Sequence, residues 1–432
     1  MPVSAVRRLS VLAALAALLA AAPALAQKEI KIGIIYDLTG PFAAGGSEAA
    51  YLGNKIAVDM VNEKGGVEGY RIRPIYADAQ SKAEVAISEA ERLLSQEKVD
   101  MLMGVYSSAH CVPMAQRIDA AKKFFWMNVC VASAVLKDKK LQYAFRPQVH
   151  SDQFGEASCA FLNENAEKKM GIKPAALKVA IIYEDGPYGS GVASGNESAC
   201  KKHGMQLVLK EGYSATAPDL SSLVTKLRRA RPDVILHTGY NPDITLFLRQ
   251  SREQGLKFKG LIGHGAGYGQ IGKLMETFGT DVNYVFNVDP VAAQLLDPKT
   301  LKPGLGELTN EMVKRYQAVK GPAEVPPHTS MGFNQAWIFF NDVLPRAIKK
   351  HGGIDAEALR KASLETDIPL GGTIQGYGVK FFPPGAQMAG QNERSSPVVM
   401  QYVNGRTYIA WPTAIRTTDP ILPLPKGHPY AQ

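Results

Sequence analysis

Apolar runs alternate with amphipathic runs along most of the chain, and this alternation predicts the fold class. From Lys28 the segment "IKIGIIYDL" reads as a buried strand, and "AAYLGNKIAVDMVNEKGG" spaces its apolar residues as a helix does before ending in two glycines. The strand-like segments "RIRPIYAD", "DMLMGV" and "FFWMNV" follow, each separated from the next by a predicted helix. Continuous apolar strands separated by helices predict parallel strands that are covered on both faces.

A second series of helices and strands begins after Arg146. The predicted strands of this series are "LKVAIIYED", "QLVLKEGY", "DVILHTGY" and "FKGLIGH", and the chain closes with a hairpin that turns at Asn404 and Gly405. Two separate series predict an α/β protein with two doubly wound lobes, each with a parallel-rich sheet. Such sheets bind ligands at the carboxyl ends of their strands, so two of them facing each other would form a binding cleft.

The amino terminus has the pattern of a secretory signal peptide. Arg7 and Arg8 precede the uncharged apolar segment "LSVLAALAALLAAA", and Ala24 and Ala26 are small residues two apart. We therefore expect residues 1–26 to be removed and the mature protein to be exported to a periplasm. No cysteine stands at the cleavage site, so we do not expect a lipid anchor.

Charge and cysteine content narrow the class of partner. The chain has 49 basic and 40 acidic residues, and its basic clusters have no interleaved aromatic residues, so we expect solvated surface and no nucleic-acid binding. The four cysteines have no zinc-like spacing, and in an oxidising compartment they are more plausibly disulfides. Two disulfides are possible, Cys111 with Cys130 on adjacent loops and Cys159 with Cys200 on neighbouring helices, and the spacing leaves the connectivity open.

Motifs for catalysis or for a cofactor were sought and are not found. The sequence contains no G-x-x-x-x-G-K-[ST], H-E-x-x-H or G-x-S-x-G pattern, and its eight histidines are scattered singly. The stretch "GHGAGYGQIG" from Gly263 to Gly272 matches G-x-G-x-x-G, but it lies far from the first strand-to-helix turn where a dinucleotide fingerprint belongs. We therefore expect no catalysis, no cofactor and no metal.

Small and hydroxylic residues recur where predicted strands end. The segments "GVYSSAH", "NVCVASA", "EDGPYGSG" and "TGYNPD" each follow a strand, two in each lobe. Any one of them is an ordinary turn or helix cap. Together, with helix amino termini behind them, they favour a cleft that binds an anionic or polar group.

The motifs "IKIGIIYDLTGPFAAGG", "YAFRPQVHSDQFG", "YEDGPYGSG", "TGYNPDITLFLRQSREQGLK" and "LIGHGAG" occur in this order. With them the chain resembles the branched-chain amino acid family of periplasmic substrate-binding proteins, which have the type I fold. The resemblance implies two lobes joined by a three-strand hinge. It places lobe one at residues 27–146 and 288–373, and lobe two at residues 147–287 and 374–432. It also implies a small-molecule solute, the permease subunits of an ABC importer as partners, and a monomer.

The same resemblance implies a set of ligand-binding residues. Ser108 and Ala109 match the loop that binds a ligand carboxylate, and a second loop of lobe one is expected to complete that site. Two aromatic residues of lobe two are expected to close over the ligand. The loop after "LIG" is expected to line the cleft. The remaining residues assigned in this way are Cys130, Ala132, Ser133, Tyr188, Tyr240, His264 and Gly265.

The chain departs from the amino-acid-binding members at two places. Ala44, Gly45 and Gly46 stand where those members have an aromatic residue, and Gly265 stands where they have the acid that pairs with the ligand's ammonium group. This predicts a roomier cleft and a carboxylate or amide-like solute in preference to a zwitterionic amino acid. Glu184, Asp185 or Asp243 remains an alternative source of the acid.

Two other classes of function stay open from the sequence. A ligand-sensing subunit that docks on a membrane receptor would use the same cleft. An exported α/β enzyme would need a nucleophile paired with a base in the cleft, and the sequence shows none.

Overall fold

The computed structural model describes residues 28–432, the side chain of Ala266 excepted. The predicted signal peptide, residues 1–26, lies outside the described residues. In the part of the chain that the structure describes, no helix combines the length and the apolar character that a membrane span requires.

The first sheet has five parallel strands in the order β2-β1-β3-β4-β5. Its strands are β1 (Lys28–Tyr36), β2 (Tyr70–Asp78), β3 (Met101–Gly104), β4 (Phe124–Met127) and β5 (Ala144–Phe145). All four pairings are parallel, as the continuous apolar runs predict.

The second sheet has seven strands in the order β12-β11-β10-β9-β8-β6-β7. Its strands are β6 (Lys178–Glu184), β7 (Gln206–Tyr213), β8 (Val234–Thr238), β9 (Gly260–His264), β10 (Phe286–Asp289), β11 (Val398–Val403) and β12 (Arg406–Trp411). Strands β6 to β10 are parallel to one another, whereas β11 pairs antiparallel with β10 and forms the predicted antiparallel hairpin with β12 at the edge of the sheet. The α/β class with two parallel-rich sheets is confirmed.

Twelve α-helices in the described part of the chain cover these sheets. They are α1 (Glu48–Glu63), α2 (Ala83–Ser95), α3 (Ser108–Ala120), α4 (Ser151–Met170), α5 (Pro187–Lys202), α6 (Ser221–Ala230), α7 (Asn241–Glu253), α8 (Ile271–Phe278), α9 (Leu305–Lys320), α10 (Pro327–Ile338), α11 (Leu344–His351) and α12 (Ala356–Leu364). A π-helical turn, Phe339–Val343, joins α10 to α11.

The chain passes between the sheets three times. It crosses after β5 into α4, which packs on the second sheet, and after β10 it returns to α9 and α10, which pack on α1. It crosses again before β11. The contact of α10 with α1 is close because it is made through glycines: a Cβ atom on Gly53 would lie 2.0 Å from the carbonyl oxygen of Thr329.

Both of the possible disulfides are formed, although Cys111 lies in helix α3 and not in a loop as expected. Cys111 is bonded to Cys130, which joins α3 to the loop after β4, and Cys159 is bonded to Cys200, which joins α4 to α5. All four cysteines are buried.

Two elements were missed by the sequence analysis. Strand β10 and helix α8 fall in the stretch between the "LIGH" strand and the helix at Leu305, for which no element was predicted. Strand β10 is only four residues long and half polar, "FNVD", so it lacks the apolar run by which buried strands are recognised. It becomes a strand because β9 and β11 pair with it on either side.

Candidate functional site

A cavity lies between the two sheets, at the carboxyl ends of several strands. About 310 Å³ of space in and around it, open solvent included, is not occupied by atoms. The wall residues come from both sheets and from α10, and they are Tyr106, Ser108, Val129, Val131, Phe154, Tyr188, Tyr240, Gly265, Asp289, His328 and Met331. Four of the nine residues predicted for the site are therefore brought together here: Ser108, Tyr188, Tyr240 and Gly265.

Ser108 is the first residue of α3 and lies at the cavity wall, almost fully buried. Its Oγ atom accepts a hydrogen bond from the backbone N–H of Ala132 at 3.1 Å. The first backbone N–H groups of a helix have no partner within the helix, and the helix dipole favours negative charge there. A hydroxyl group at this position therefore gives the cavity a polar end that suits an anionic or hydrogen-bond-accepting group.

The other residues predicted for lobe one lie outside the cavity wall. Ala109 follows Ser108 in the first turn of α3. The side chain of Cys130 is held in its disulfide, while Val129 and Val131 on either side of it line the cavity.

Ala132 and Ser133 belong to the support behind the cavity wall. The carbonyl oxygen of Ala132 accepts a hydrogen bond from the buried Arg146 guanidinium at 2.8 Å. The Oγ of Ser133 donates to Asp152 at 2.8 Å and lies 2.9 Å from the Oγ of Ser151, both at the start of α4. These contacts fix the position of the loop after β4, and the Ala132 N–H of that loop donates to Ser108.

Two tyrosines of the second lobe form one side of the cavity. The rings of Tyr188 and Tyr240 lie 5.4 Å apart, and both side chains are buried. The Tyr188 hydroxyl donates a 2.6 Å hydrogen bond to the carbonyl oxygen of His264. Burial raises the pKa of both tyrosines well above the usual range, so both are neutral.

The expected extra room near Gly45 and Gly46 is already occupied. The ring of Tyr106 fills it, with its hydroxyl donating to the carbonyl oxygen of Gly45 at 2.7 Å. A Cβ atom on Gly46 would lie 3.1 Å from the same ring. Phe42, from the first loop, stacks on Tyr240 with ring centroids 4.3 Å apart. The aromatic character thus comes from Phe42 and Tyr106, which the sequence analysis did not identify.

His264 and Gly265 have different surroundings. The His264 ring is buried away from the cavity wall, with Nε2 2.8 Å from the Oγ of Ser158 and Nδ1 3.0 Å from the Oγ1 of Thr238. Burial lowers the pKa of His264 to about 4, so the ring is neutral at neutral pH. Gly265 lines the cavity, and its φ of 41° lies in the region that favours glycine.

An acid does lie in the cavity, although not at residue 265. Asp289, the last residue of β10, is 1% exposed, and its Oδ2 has no hydrogen-bond partner. The Nδ1 atom of His328, the second residue of α10, lies 3.9 Å from that oxygen and is also without a partner. Burial raises the pKa of Asp289 well above its usual range and lowers the pKa of His328 to about 4.

The three acids considered from the sequence have other contacts. The carboxylate of Glu184 accepts hydrogen bonds from the backbone N–H groups of Gly186 and Gly189. Asp243 caps α7 through the N–H of Tyr240 and accepts from a tyrosine hydroxyl. Asp185 is exposed. None of the three lines the cavity. The signal that would have indicated Asp289 is its place at the carboxyl end of a strand, but β10 was not predicted from the sequence.

Comparison with known proteins assigns the family. A family model described as a periplasmic binding protein matches residues 29–392. The Leu/Ile/Val-binding protein homolog 7 of Brucella suis biovar 1 (strain 1330) is 35% identical over 410 residues, which is 94% of this chain and 97% of that protein. Homolog 8 of Brucella abortus (strain 2308) is 33% identical over 385 residues, covering 89% of this chain and 91% of that protein.

Solved structures have the same fold. A leucine binding protein from Thermotoga maritima MSB8 aligns with a TM-score of 0.72 at 22% identity, covering 88% of this chain and 97% of that chain. A solute binding protein from R. palustris in complex with 4-hydroxybenzoate aligns with a TM-score of 0.70 at 16% identity, covering 88% and 95%. The two-lobed architecture, the cavity between the lobes and the match over most of the sequence agree. The chain belongs to the family of periplasmic binding proteins.

Proposed function

We propose that the mature protein captures a small carboxylate, amide or amino-acid-like solute between its lobes and delivers it to the permease of an ABC importer. The observation that carries this proposal is the cavity itself, whose wall combines Ser108 of the first lobe with Tyr188 and Tyr240 of the second. A solute that contacts both lobes stabilises the closed arrangement over the open one, which is how a binding protein signals that it is loaded.

The chemistry of the wall supports a solute with a polar head and an apolar body. Val129, Val131, Phe154 and Met331 provide apolar surface, while Ser108 provides a hydroxyl at a helix amino terminus. Curated relatives at up to 35% identity carry names that refer to leucine, isoleucine and valine, solutes of this kind. We extend that class to this chain as part of the proposal.

The remaining expectations belong to the same proposal. The protein would act in the periplasm after loss of residues 1–26, without a lipid anchor, as a monomer and without catalysis. Lobe one would comprise residues 27–146 and 288–373, and lobe two residues 147–287 and 374–432. Passage of β5, Ala144–Phe145, into α4 on the other sheet supports the first of these divisions.

A thermal-shift screen tests the proposal. The panel is the standard amino acids, their primary amides, their deaminated acids, ureas and aromatic acids, each added to the purified mature protein. A solute at a hundred times its Kd stabilises the folded state by about 2.7 kcal/mol, which is several degrees in Tm. We expect at least one member of the panel to give such a shift, and calorimetry to show one site per chain. A flat response to the whole panel would contradict the proposed solute class.

A further inference from the structure

Four buried side chains form a continuous row of hydrogen bonds behind the second-lobe wall of the cavity. The Tyr268 hydroxyl lies 2.7 Å from Nδ1 of His237, and Nε2 of the same ring lies 2.6 Å from the Tyr213 hydroxyl. That hydroxyl lies 2.6 Å from Oδ2 of Asp243. The side chains are at most 8% exposed, so bulk water does not take part. Together they form the Tyr–His–Tyr–Asp network.

Both ends of this network reach segments that line the cavity. At one end, Oδ1 of Asp243 accepts a 2.8 Å hydrogen bond from the backbone N–H of Tyr240, whose ring is part of the wall. At the other end, Tyr268 belongs to the loop after β9, which begins with the cavity residue Gly265. The Tyr268 ring lies directly over Gly263, where a Cβ atom would overlap it. The network therefore joins two separate segments of the wall through the interior of the lobe.

The number of hydrogens in the network fixes its direction when Asp243 is ionised. A carboxylate only accepts, so Tyr213 donates to it and has no second hydrogen to give. Nε2 of His237 must then carry a hydrogen and donate to Tyr213, and Nδ1 accepts from Tyr268. Three hydrogens fill the three links, and no polar atom of the network is left unpaired.

A proton on Asp243 reverses this direction. It takes Oδ2, because Oδ1 already accepts from a backbone N–H that cannot rotate away, whereas hydroxyl hydrogens can. Oδ2 then donates to Tyr213, Tyr213 donates to Nε2 of His237, and Nδ1 donates to Tyr268. The Tyr268 hydroxyl hydrogen is left without an acceptor, because in the described part of the protein that hydroxyl has no second hydrogen-bond partner. Protonation therefore changes both ends of the network at once.

The charge on Asp243 changes near neutral pH, because burial raises its pKa to about 7 against the lowering effect of the hydrogen bond from Tyr213. Burial lowers the pKa of His237 to about 3 and raises the pKa values of the facing tyrosines well above their usual range, so these groups stay neutral. The other carboxyl group, Glu184, adds a smaller rise to the pKa of Asp243. The ionisable groups that face this carboxylate are Glu184 of β6, Tyr213 of β7, His237 of β8, Tyr240 before α7, Tyr268 after β9 and Tyr106 of the first lobe.

We propose that the Tyr–His–Tyr–Asp network positions the second-lobe wall of the cavity, and that the protein binds its solute tightly with Asp243 ionised and weakly with Asp243 protonated. This inference rests on the proposed function and adds the condition under which the site binds. Asp243, Tyr213 and His237 are positioning residues, since none of them lines the cavity. A carboxylate accepts a stronger hydrogen bond than a neutral carboxyl group and suits a helix amino terminus, so the ionised form orders Tyr240 for the solute at lower cost.

Calorimetry from pH 6 to pH 9 measures the effect on binding, with the best solute of the screen that does not itself titrate in this range. In the wild type we expect the affinity to fall about tenfold from pH 8 to pH 6, because a group with a pKa of about 7 goes from about nine-tenths to about one-tenth ionised. Asp243→Asn should bind no more tightly than the wild type at pH 6, and its affinity should stay within twofold across the range. Asp185→Asn removes an exposed charge from the same lobe and should keep the wild-type profile.

A matched pair of tyrosine variants tests the network without removing a carboxyl group. Tyr213→Phe removes the hydroxyl between His237 and Asp243, and loss of a hydrogen bond to the ionised form should move the midpoint of the binding profile up by about one pH unit. Tyr183→Phe removes a hydroxyl from the neighbouring strand β6 that makes no hydrogen bond in the described part of the protein, and should leave the midpoint unchanged. Equal midpoints in these two variants would contradict the role of Tyr213.

Nitrogen NMR of histidine-labelled protein measures the direction of the network without any solute. In the wild type we expect His237 to carry its hydrogen on Nε2 at pH 8 and on Nδ1 at pH 6. In Asp243→Asn we expect Nδ1–H at every pH, because the amide oxygen accepts from the N–H of Tyr240 and the –NH₂ group must then donate to Tyr213. The signals of His237 are identified as those that His237→Gln lacks.

Three results would overturn the network. They are equal wild-type affinities at pH 6 and pH 8, an Asp243→Asn profile that keeps the wild-type fall, and the same His237 tautomer in the wild type at pH 8 and in Asp243→Asn. The protein still binds solute in the first two, so the proposed function survives them. If the wild type binds no member of the panel, the solute class of the proposed function fails, while the NMR spectra still decide whether the network reverses.

Discussion

Removal of the two disulfides, one at a time, should separate a contribution to binding from a contribution to stability. Cys111 lies in the first turn of α3, three residues after Ser108, and Cys130 lies between the cavity residues Val129 and Val131. The other bond, Cys159–Cys200, joins α4 to α5, and no residue next to either of its cysteines lines the cavity. The double variants Cys111→Ala/Cys130→Ala and Cys159→Ala/Cys200→Ala are therefore matched in chemistry and differ in position.

The expected stability losses follow from the loops that the bonds close. The sequence separations are 19 and 41 residues. In the chain-entropy model, a cross-link over loops of these lengths stabilises the folded state by about 3 and about 4 kcal/mol at 25 °C. Because all four sulfur atoms are buried, the small cavities left by alanine are similar in the two variants.

The expected effects on binding differ. The Cys111–Cys130 bond holds the amino terminus of α3 against the loop whose valines line the cavity. Without the bond, both of these segments become more mobile at the polar end of the cavity. Ordering the two segments when the solute binds should cost about 1.4 kcal/mol of binding free energy, which is a tenfold loss of affinity. The Cys159–Cys200 variant should bind with unchanged affinity.

Urea denaturation followed by far-UV circular dichroism measures the stabilities, and calorimetry with the best solute of the screen measures the affinities. Both are done at a temperature where each variant is folded. Equal affinities in the two variants would refute the positioning role of the first disulfide. Stability losses below about 1 kcal/mol in both variants would refute the loop-entropy reasoning.

Three further predictions concern single residues. Gly46→Ala should destabilise the protein by about 1–3 kcal/mol, measured by urea denaturation, because φ at Gly46 is 133° and the new Cβ would press on Tyr106 at 3.1 Å; an unchanged midpoint would contradict this. Ser108→Ala should lower both the stability and the solute affinity, because the buried N–H of Ala132 loses its acceptor at a cost of about 1–3 kcal/mol. A variant with unchanged stability and unchanged affinity would refute the role of Ser108. For His264 the pKa falls from 6.5 when unfolded to about 4 when folded, so the unfolded state binds the extra proton and stability is lost as pH falls from 6.5 towards 4. Between pH 7 and pH 5 the wild type should therefore lose about 2 kcal/mol more than His264→Gln, and parallel pH profiles would contradict this.

The sequence alone determined the architecture, because hydrophobic periodicity is a local property. Continuous apolar runs such as Phe124 to Met127 can be buried on both faces only in a covered parallel sheet, and the Asn404–Gly405 turn specifies its hairpin within a few residues. Both cysteine pairs were among the possibilities named from the sequence, which left the connectivity open. The places of Ser108, Tyr188, Tyr240 and Gly265 at strand ends followed from the same pattern and from the resemblance to the family.

The contents of the cavity were decided by the tertiary structure. Strand β10 has no apolar run of its own and forms because its neighbours pair with it, so Asp289 could not be placed from local pattern. His328 joins it from α10, 39 positions later in the sequence, because glycines let α10 pack closely on α1. The space left by Gly46 was predicted to be empty because its occupant, Tyr106, comes from the distant loop after β3. Each of these contacts joins residues far apart in the chain, and the sequence carries no local signal for such contacts.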